Sequence, residues 1–205
     1  MKEIFGLVVC GGESSRMGMD KSLLVYHQKS QSYHVYEMLD LLCDKVFVSC
    51  NKKQASAIPD NYEKIIDLEL YQNIGPMAAL LSAFTKFPDK NFIVVACDYP
   101  FLQKEDIRKL LDAIDDKHLA VSYFNPISEM KEPLLAYYSK ECFPLLIKYI
   151  EKKEYSLRNF LKEIDSKKIE PISQESITSI DTPEAYHKAL LRLREINGNK
   201  LIHAI

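Results

Sequence analysis

The chain has 205 residues, 47% of them hydrophobic and 27% charged, which is enough for one domain with its own core. Its 27 Lys and Arg against 29 Asp and Glu give a net charge of −2, which speaks against the broad basic surface that nucleic acids require. Five cysteines without a CxxC pair indicate neither a disulfide framework nor a zinc site and suit a reduced, cytoplasmic setting.

The N-terminal apolar run, residues 4–9, is short and β-branched, so it reads as a buried strand and is too short for a signal peptide. No apolar stretch nears the ~20 residues that cross a bilayer, so no membrane is expected as a partner. A Gly- and Ser-rich segment with two cations follows, "CGGESSRMGMDKSLL", residues 10–24. "SYHVYEMLDLLC" has apolar residues at helical spacing, and "KVFVSC" is the next strand. "KIID", residues 64–67, is a weaker third strand. "PMAALLSAF" follows Gly75, with Pro76 suited to a first helical turn. "NFIVVACD", residues 91–98, reads as a strand buried on both faces, and "QKEDIRKLLDAI" as a helix with its acids early and its bases late.

The second half is less regular. "LAVSYF" and "PLLAYYS" read as strands that can extend the sheet antiparallel, with "KKIEPI" as a short third. "KECFPLLIKYIEK" and "YSLRNFLKEI" read as helices. "DTPEAYHKALLRLREI" opens with an Asp-Thr cap, Pro183 and Glu184, and residues beyond about 197 are expected to fray. Without repeats or a linker, residues 1–205 are expected to form one α/β domain, doubly wound about a mostly parallel sheet.

Ligands of such sheets sit at the carboxyl ends of the strands, where the Gly-rich segment emerges. It fits neither common phosphate loop. A Walker loop has four residues between its glycines and then Gly-Lys, whereas Gly12 and Gly18 are separated by five and Gly18 precedes Met19. GxGxxG is also absent. Gly11 and Gly12 nevertheless let backbone approach a ligand, and successive N–H groups can nest an anion. Arg16 offers a planar fork to phosphate oxygens, and Lys21 a point charge where negative charge builds up.

The segment resembles the GGxSxRMGxDKxLL signature of the molybdenum cofactor guanylyltransferases, within the nucleotidyltransferase superfamily. Gly11, Gly12, Ser14, Arg16, Met17, Gly18, Asp20, Lys21, Leu23 and Leu24 all match it. "SCN", "IID", "NIGPMAAL", "VVACDYPFL", "EPLLAYY" and "SIDTPEAY" resemble further family segments over most of the chain. The resemblance implies a Rossmann-like sheet of the nucleotide-diphospho-sugar transferase type. It also implies a nucleotide site of Val9, Cys10, Gly11, Gly12, Ser14, Lys21, Ser49, Asn51, Asp67, Gly75, Pro76 and Asp98. Asp67 then reads guanine, since a carboxylate accepts from N1–H and N2–H₂, a donor pair that adenine lacks.

Asp98 admits two readings, a turn acid or, by the resemblance, a Mg²⁺ ligand; one or two carboxylates plus phosphates usually suffice for that ion. Asp181 is open between an N-cap and a second ligand. Departures from the family pattern are Cys10 for alanine, His27-Gln28 for a tight turn, Ala79 for glycine and Ser179 for asparagine. Cys10, Cys50 and Cys97 are expected to be small buried residues, and the tyrosines around Tyr123 and Tyr137 to be core and rim.

The implied reaction joins GTP and molybdenum-bound molybdopterin to give molybdopterin guanine dinucleotide and pyrophosphate, with Arg16, Lys21 and Asp98 as the catalytic residues. Other molybdenum cofactor proteins and apo-molybdoenzymes are the implied protein partners. Two alternatives stand beside it: a cytidylyl- or sugar-phosphate nucleotidyltransferase, and an accessory GTP-binding protein with weak catalysis.

Overall fold

The computed structural model describes residues 3–10 and 24–202, with side chains described to Ile196. Seven strands among these residues form one sheet in the order β3-β2-β1-β4-β6-β5-β7. The first four, β1 (Ile4–Val9), β2 (Lys45–Cys50), β3 (Lys64–Ile66) and β4 (Asn91–Ala96), are mutually parallel. β6 (Met130–Tyr138) runs antiparallel to both β4 and β5 (Ala120–Asn125), while β5 pairs parallel with β7 (Ser166–Ile169). Only β6 reverses, so the carboxyl ends of the other six strands share one edge, together with the start of β6.

The apolar runs form the central strands because helices cover both faces of the sheet. On one face, Phe5, Leu7, Val9 and Phe47 pack with α2 (Met77–Lys86), α4 (Cys142–Glu151) and α5 (Leu157–Glu163). On the other, Val8, Val46, Val48, Ile93 and Val95 pack with α1 (Gln31–Asp40) and α3 (Lys104–Asp112). A Cβ on Gly6 would stand 3.1 Å from atoms of Leu39 and Val46, so this glycine lets α1 press against the sheet. Tyr123 and Tyr137 are fully buried and belong to the core. Cys10, Cys50 and Cys97 are likewise buried.

A third, smaller core lies beside the carboxyl edge. There α6 (Pro183–Ile202) lays Ala189 and Leu193 on Leu24, Tyr26 and Ile180. A short hairpin, bridged antiparallel between Val25 and Ser30, holds Leu24 and Tyr26 in place. Gln28 takes the left-handed turn position, φ 65°, where glycine would be unstrained. The turn thus survives the His27-Gln28 departure, and His27 Nε2 pairs with the carbonyl of Pro100 at 2.8 Å.

Several boundaries differ from expectation. β4 ends at Ala96, leaving Cys97 and Asp98 in the turn beyond it, and α6 continues to Ile202. Pro76 occupies the N-cap of α2 rather than its first turn.

Candidate active site

The carboxyl ends of β1, β2 and β3 and the start of α2 enclose a cavity of about 770 Å³. Val9, Asn51, Asp67, Gly75 and Pro76, each expected in a nucleotide site, line it together with Ala78, Ala79 and Tyr71. The volume lies within the ~300–1,000 Å³ of small-ligand sites. Small residues at the start of α2 leave the space open, and Ala79, 2% exposed, forms part of its wall. At the rim, Gly75 and Asn73 both have left-handed backbone, φ 63° and 64°. No atom lies within 4 Å of a Cβ built on Gly75, so glycine is needed there for conformation, not for space.

Asp67 is the acid of this cavity. Its N–H bonds the carbonyl of Cys50 at 2.9 Å, which registers it just past β3, and Leu68 N–H bonds Ser82 Oγ of α2 at 2.9 Å. Ser49, 1% exposed, donates its hydroxyl to Asp67 Oδ1 at 2.6 Å. Ser49 therefore stands behind the acid and aims it. Burial raises the Asp67 pKa above the ordinary carboxylate value, against the lowering effect of the Ser49 hydrogen bond. Asn51 Oδ1 accepts from the N–H groups of Lys53 and Gln54, both at 2.9 Å, so its amide N–H is what it can offer a ligand. Lys52 pairs with Glu69 across the exposed rim.

Asp98 follows β4, on the far side of β1 from the cavity. The Ile180 N–H donates to the Asp98 carbonyl at 2.9 Å, which brings the segment carrying Asp181 alongside it. The helix cap that competed for Asp181 belongs to its neighbour. Thr182 Oγ1 accepts from Ala185 N–H at 3.2 Å, and Pro183 opens α6. Asp181 therefore precedes the cap. Ile180, which directly precedes Asp181, also packs against Tyr26, so the backbone segments carrying the two acids meet here although they lie some eighty residues apart in sequence.

From β3 to β4 is three strand spacings, ~14 Å, a span that a nucleoside triphosphate can bridge. The chain leaves β1 between the two, at Cys10. Gly11, Gly12, Ser14, Arg16 and Lys21 lie outside the described residues. Among the described residues, no three His, Cys, Asp or Glu side chains converge as a metal cage. Two carboxylates carried on adjoining segments are the donor chemistry suited to a hard divalent cation that completes its shell with phosphate and water.

Sequence reasoning missed a polar cluster beyond Asp98. Glu132, 9% exposed at the start of β6, accepts from Tyr99 Oη at 3.3 Å and Asn125 Nδ2 at 3.1 Å, with Arg158 at 4.0 Å. An acid directly before Pro133 in a strand-like run was the available signal, but nothing local says that three distant segments meet it.

The fold recurs in solved structures. A molybdopterin-guanine dinucleotide biosynthesis protein A from Archaeoglobus fulgidus superposes with a TM-score of 0.77 at 23% identity, covering 93% of this chain and 99% of that one. A CMP:2-keto-3-deoxy-manno-octonic acid synthetase complexed with CTP superposes at 0.72 with 15% identity over 95% of this chain and 99% of its own. Both likenesses concern the fold. Among curated relatives, a molybdenum cofactor guanylyltransferase of Campylobacter jejuni is 24% identical over 95% of this chain and 99% of its own length. A molybdenum cofactor biosynthesis bifunctional protein of Synechocystis is 28% identical over 89% of this chain. The chain spans about half of the latter's length, 52%. The MobA-like NTP transferase domain matches residues 6–169, and the chain belongs to that family.

Proposed function

We propose that the chain transfers GMP from GTP to molybdenum-bound molybdopterin, releasing pyrophosphate and forming molybdopterin guanine dinucleotide. The observation that carries this reading is Asp67, aimed by Ser49 into a nucleoside-sized cavity of a MobA-like NTP transferase. The names of curated relatives, molybdenum cofactor guanylyltransferase among them, support it. Asp67 accepts from the N1–H and N2–H₂ of guanine, a donor pair that cytosine and adenine do not present. The fold shared with a CTP-bound synthetase keeps a cytidylyl reading in view. Asp67 at the base cavity favours guanine over it.

Lys21 and Arg16 bind the triphosphate and neutralise the charge that develops as the acceptor phosphate attacks in line. Asp98 and Asp181 would hold Mg²⁺, which when bound supplies charge neutralisation at the triphosphate. Gly11, Gly12 and Ser14 would present backbone and hydroxyl donors to the phosphates. The proposed location of the reaction is the cytoplasm; separately, no helix among the described residues is long and apolar enough to cross a membrane. Other molybdenum cofactor proteins and apo-molybdoenzymes are the proposed recipients of the product.

The test is a turnover assay with GTP, Mg²⁺ and molybdopterin. It should yield the dinucleotide and pyrophosphate with GTP, and far less with CTP or ATP. Binding of GTP without turnover would leave an accessory role in its place, and equal use of CTP would overturn the guanine assignment.

A further inference from the structure

Tyr26 stands out among the groups around the two acids. Its side chain is 8% exposed, held in the small core of Leu24, Ile180, Ala189 and Leu193. The Tyr186 ring meets it edge-on at 5.0 Å, and the Tyr186 hydroxyl donates to the Val25 carbonyl at 3.1 Å, fastening the hairpin to α6. The Tyr26 hydroxyl is buried, yet it makes no hydrogen bond to a described residue. Other buried phenols of the chain do bond: Tyr99 to Glu132, Tyr123 to the Asp106 carbonyl and Tyr138 to the Pro133 carbonyl. The Tyr137 hydroxyl is also buried without a bond to a described residue, but Tyr137 lies on β6 in the main core, away from the small core of Tyr26. Tyr26 packs on Ile180, whose N–H donates to the Asp98 carbonyl at 2.9 Å and which directly precedes Asp181, so it is the buried phenol set against the backbone of both acids.

A phenylalanine would fill the same space without stranding a donor, and a stranded donor costs stability. The hydroxyl therefore makes sense if a partner arrives with a ligand. A carboxylate that takes up a divalent cation is turned and fixed by it, and the oxygen facing away from the ion becomes a well-placed acceptor. We infer that Tyr26 is a positioning residue for the metal site, donating its O–H to the carboxylate of Asp98 once that carboxylate holds a divalent cation. The inference rests on the proposed metal role of Asp98. It concerns a side chain that the Gly-rich segment, the base cavity and the two acids leave without a function.

The test is Tyr26→Phe, with Mg²⁺ titrated into the full chain saturated with α,β-methylene-GTP and the thermal midpoint as readout. The wild type and Asp98→Asn are run beside it. The metal-free midpoint of Tyr26→Phe should equal or exceed that of the wild type, because a stranded donor has been removed. The Mg²⁺ concentration giving half the maximal shift should rise roughly tenfold, as for loss of an outer partner of a metal ligand. An unchanged Mg²⁺ response overturns the inference and leaves Tyr26 a core residue. A lowered metal-free midpoint overturns it too, whatever the titration shows, since the hydroxyl would then have a structural partner already. If the wild type fails to respond to Mg²⁺, or Asp98→Asn responds as the wild type does, the metal reading falls and takes this inference with it. If those two behave as proposed and Tyr26→Phe does not, only the inference falls.

Discussion

Asp67 must be ionised to accept from guanine, but its half-buried position disfavours the charge. Its folded-state pKa is raised, so ionisation destabilises the unliganded protein. That stability is fullest below the unfolded value, ~4, and is lost as pH rises through the folded pKa. GTP affinity should run the other way, falling on acidification at a pH above the ordinary carboxylate range. Calorimetric titration of GTP between pH 7 and 5 checks this, and a flat profile would argue against Asp67 as the base acceptor. Asp67→Asn should lower the preference for GTP over CTP by roughly 1–3 kcal/mol, because a charge-assisted pair becomes a single neutral acceptor. Lys21→Ala should cut turnover ~10²-fold while the chain stays folded, since the charge it removes is aimed at the transition state. A normal rate in that variant would make Lys21 a surface cation. At this scale the resemblance named Val9, Asn51, Asp67, Gly75 and Pro76 of the cavity lining, but it did not separate Asp67, which lines the cavity, from Ser49, which donates to it. That difference lies in which of two neighbouring strand ends points outward.

Elements carry two further predictions. Thr182 caps α6, so Thr182→Ala should cost ~1 kcal/mol in denaturant unfolding and leave the Mg²⁺ titration of activity unchanged. Asp181→Asn should do the reverse, shifting the metal titration with little loss of stability. Matching effects in the two variants would return Asp181 to a structural role. The hairpin before α1 supplies the other case. The His34 ring stacks on His27 with centroids 4.1 Å apart. Burial first, then the charges of His27 and Lys29, lower the His34 pKa to about 4. Between that value and ~6.5 the unfolded chain binds a proton that the native one does not, so stability falls as pH drops through this window. His34→Phe keeps a ring against His27 and should flatten the fall, seen as a smaller difference in thermal midpoint between pH 7 and pH 5. The parallel strands were legible because a strand covered on both faces must be apolar along its buried length, as residues 92–96 are. The cap was not, because Asp181 and Thr182 are both good capping residues in sequence and only backbone geometry chooses between them.

For the whole molecule, a ligand that binds only the native state stabilises it by mass action. GTP with Mg²⁺ at a hundred times its dissociation constant should add ~2.7 kcal/mol, on the order of 5–10 °C in thermal midpoint for a chain of this size. CTP and ATP at equal concentration should give much smaller shifts, and equal shifts would remove base selectivity. What the amino-acid sequence determined by itself was local. Apolar runs and helical periods specified nearly every element, and the resemblance of the Gly-rich segment to a family signature pointed to nucleotide chemistry, because these depend on neighbours in the chain. The tertiary structure alone decided the order β3-β2-β1-β4-β6-β5-β7 with β6 reversed, the meeting of Asp98 with the segment before α6, and the burial of Tyr26 against Ile180 of that segment. Those contacts join residues tens of positions apart, and their energy comes from burying faces against one another, which no local pattern records.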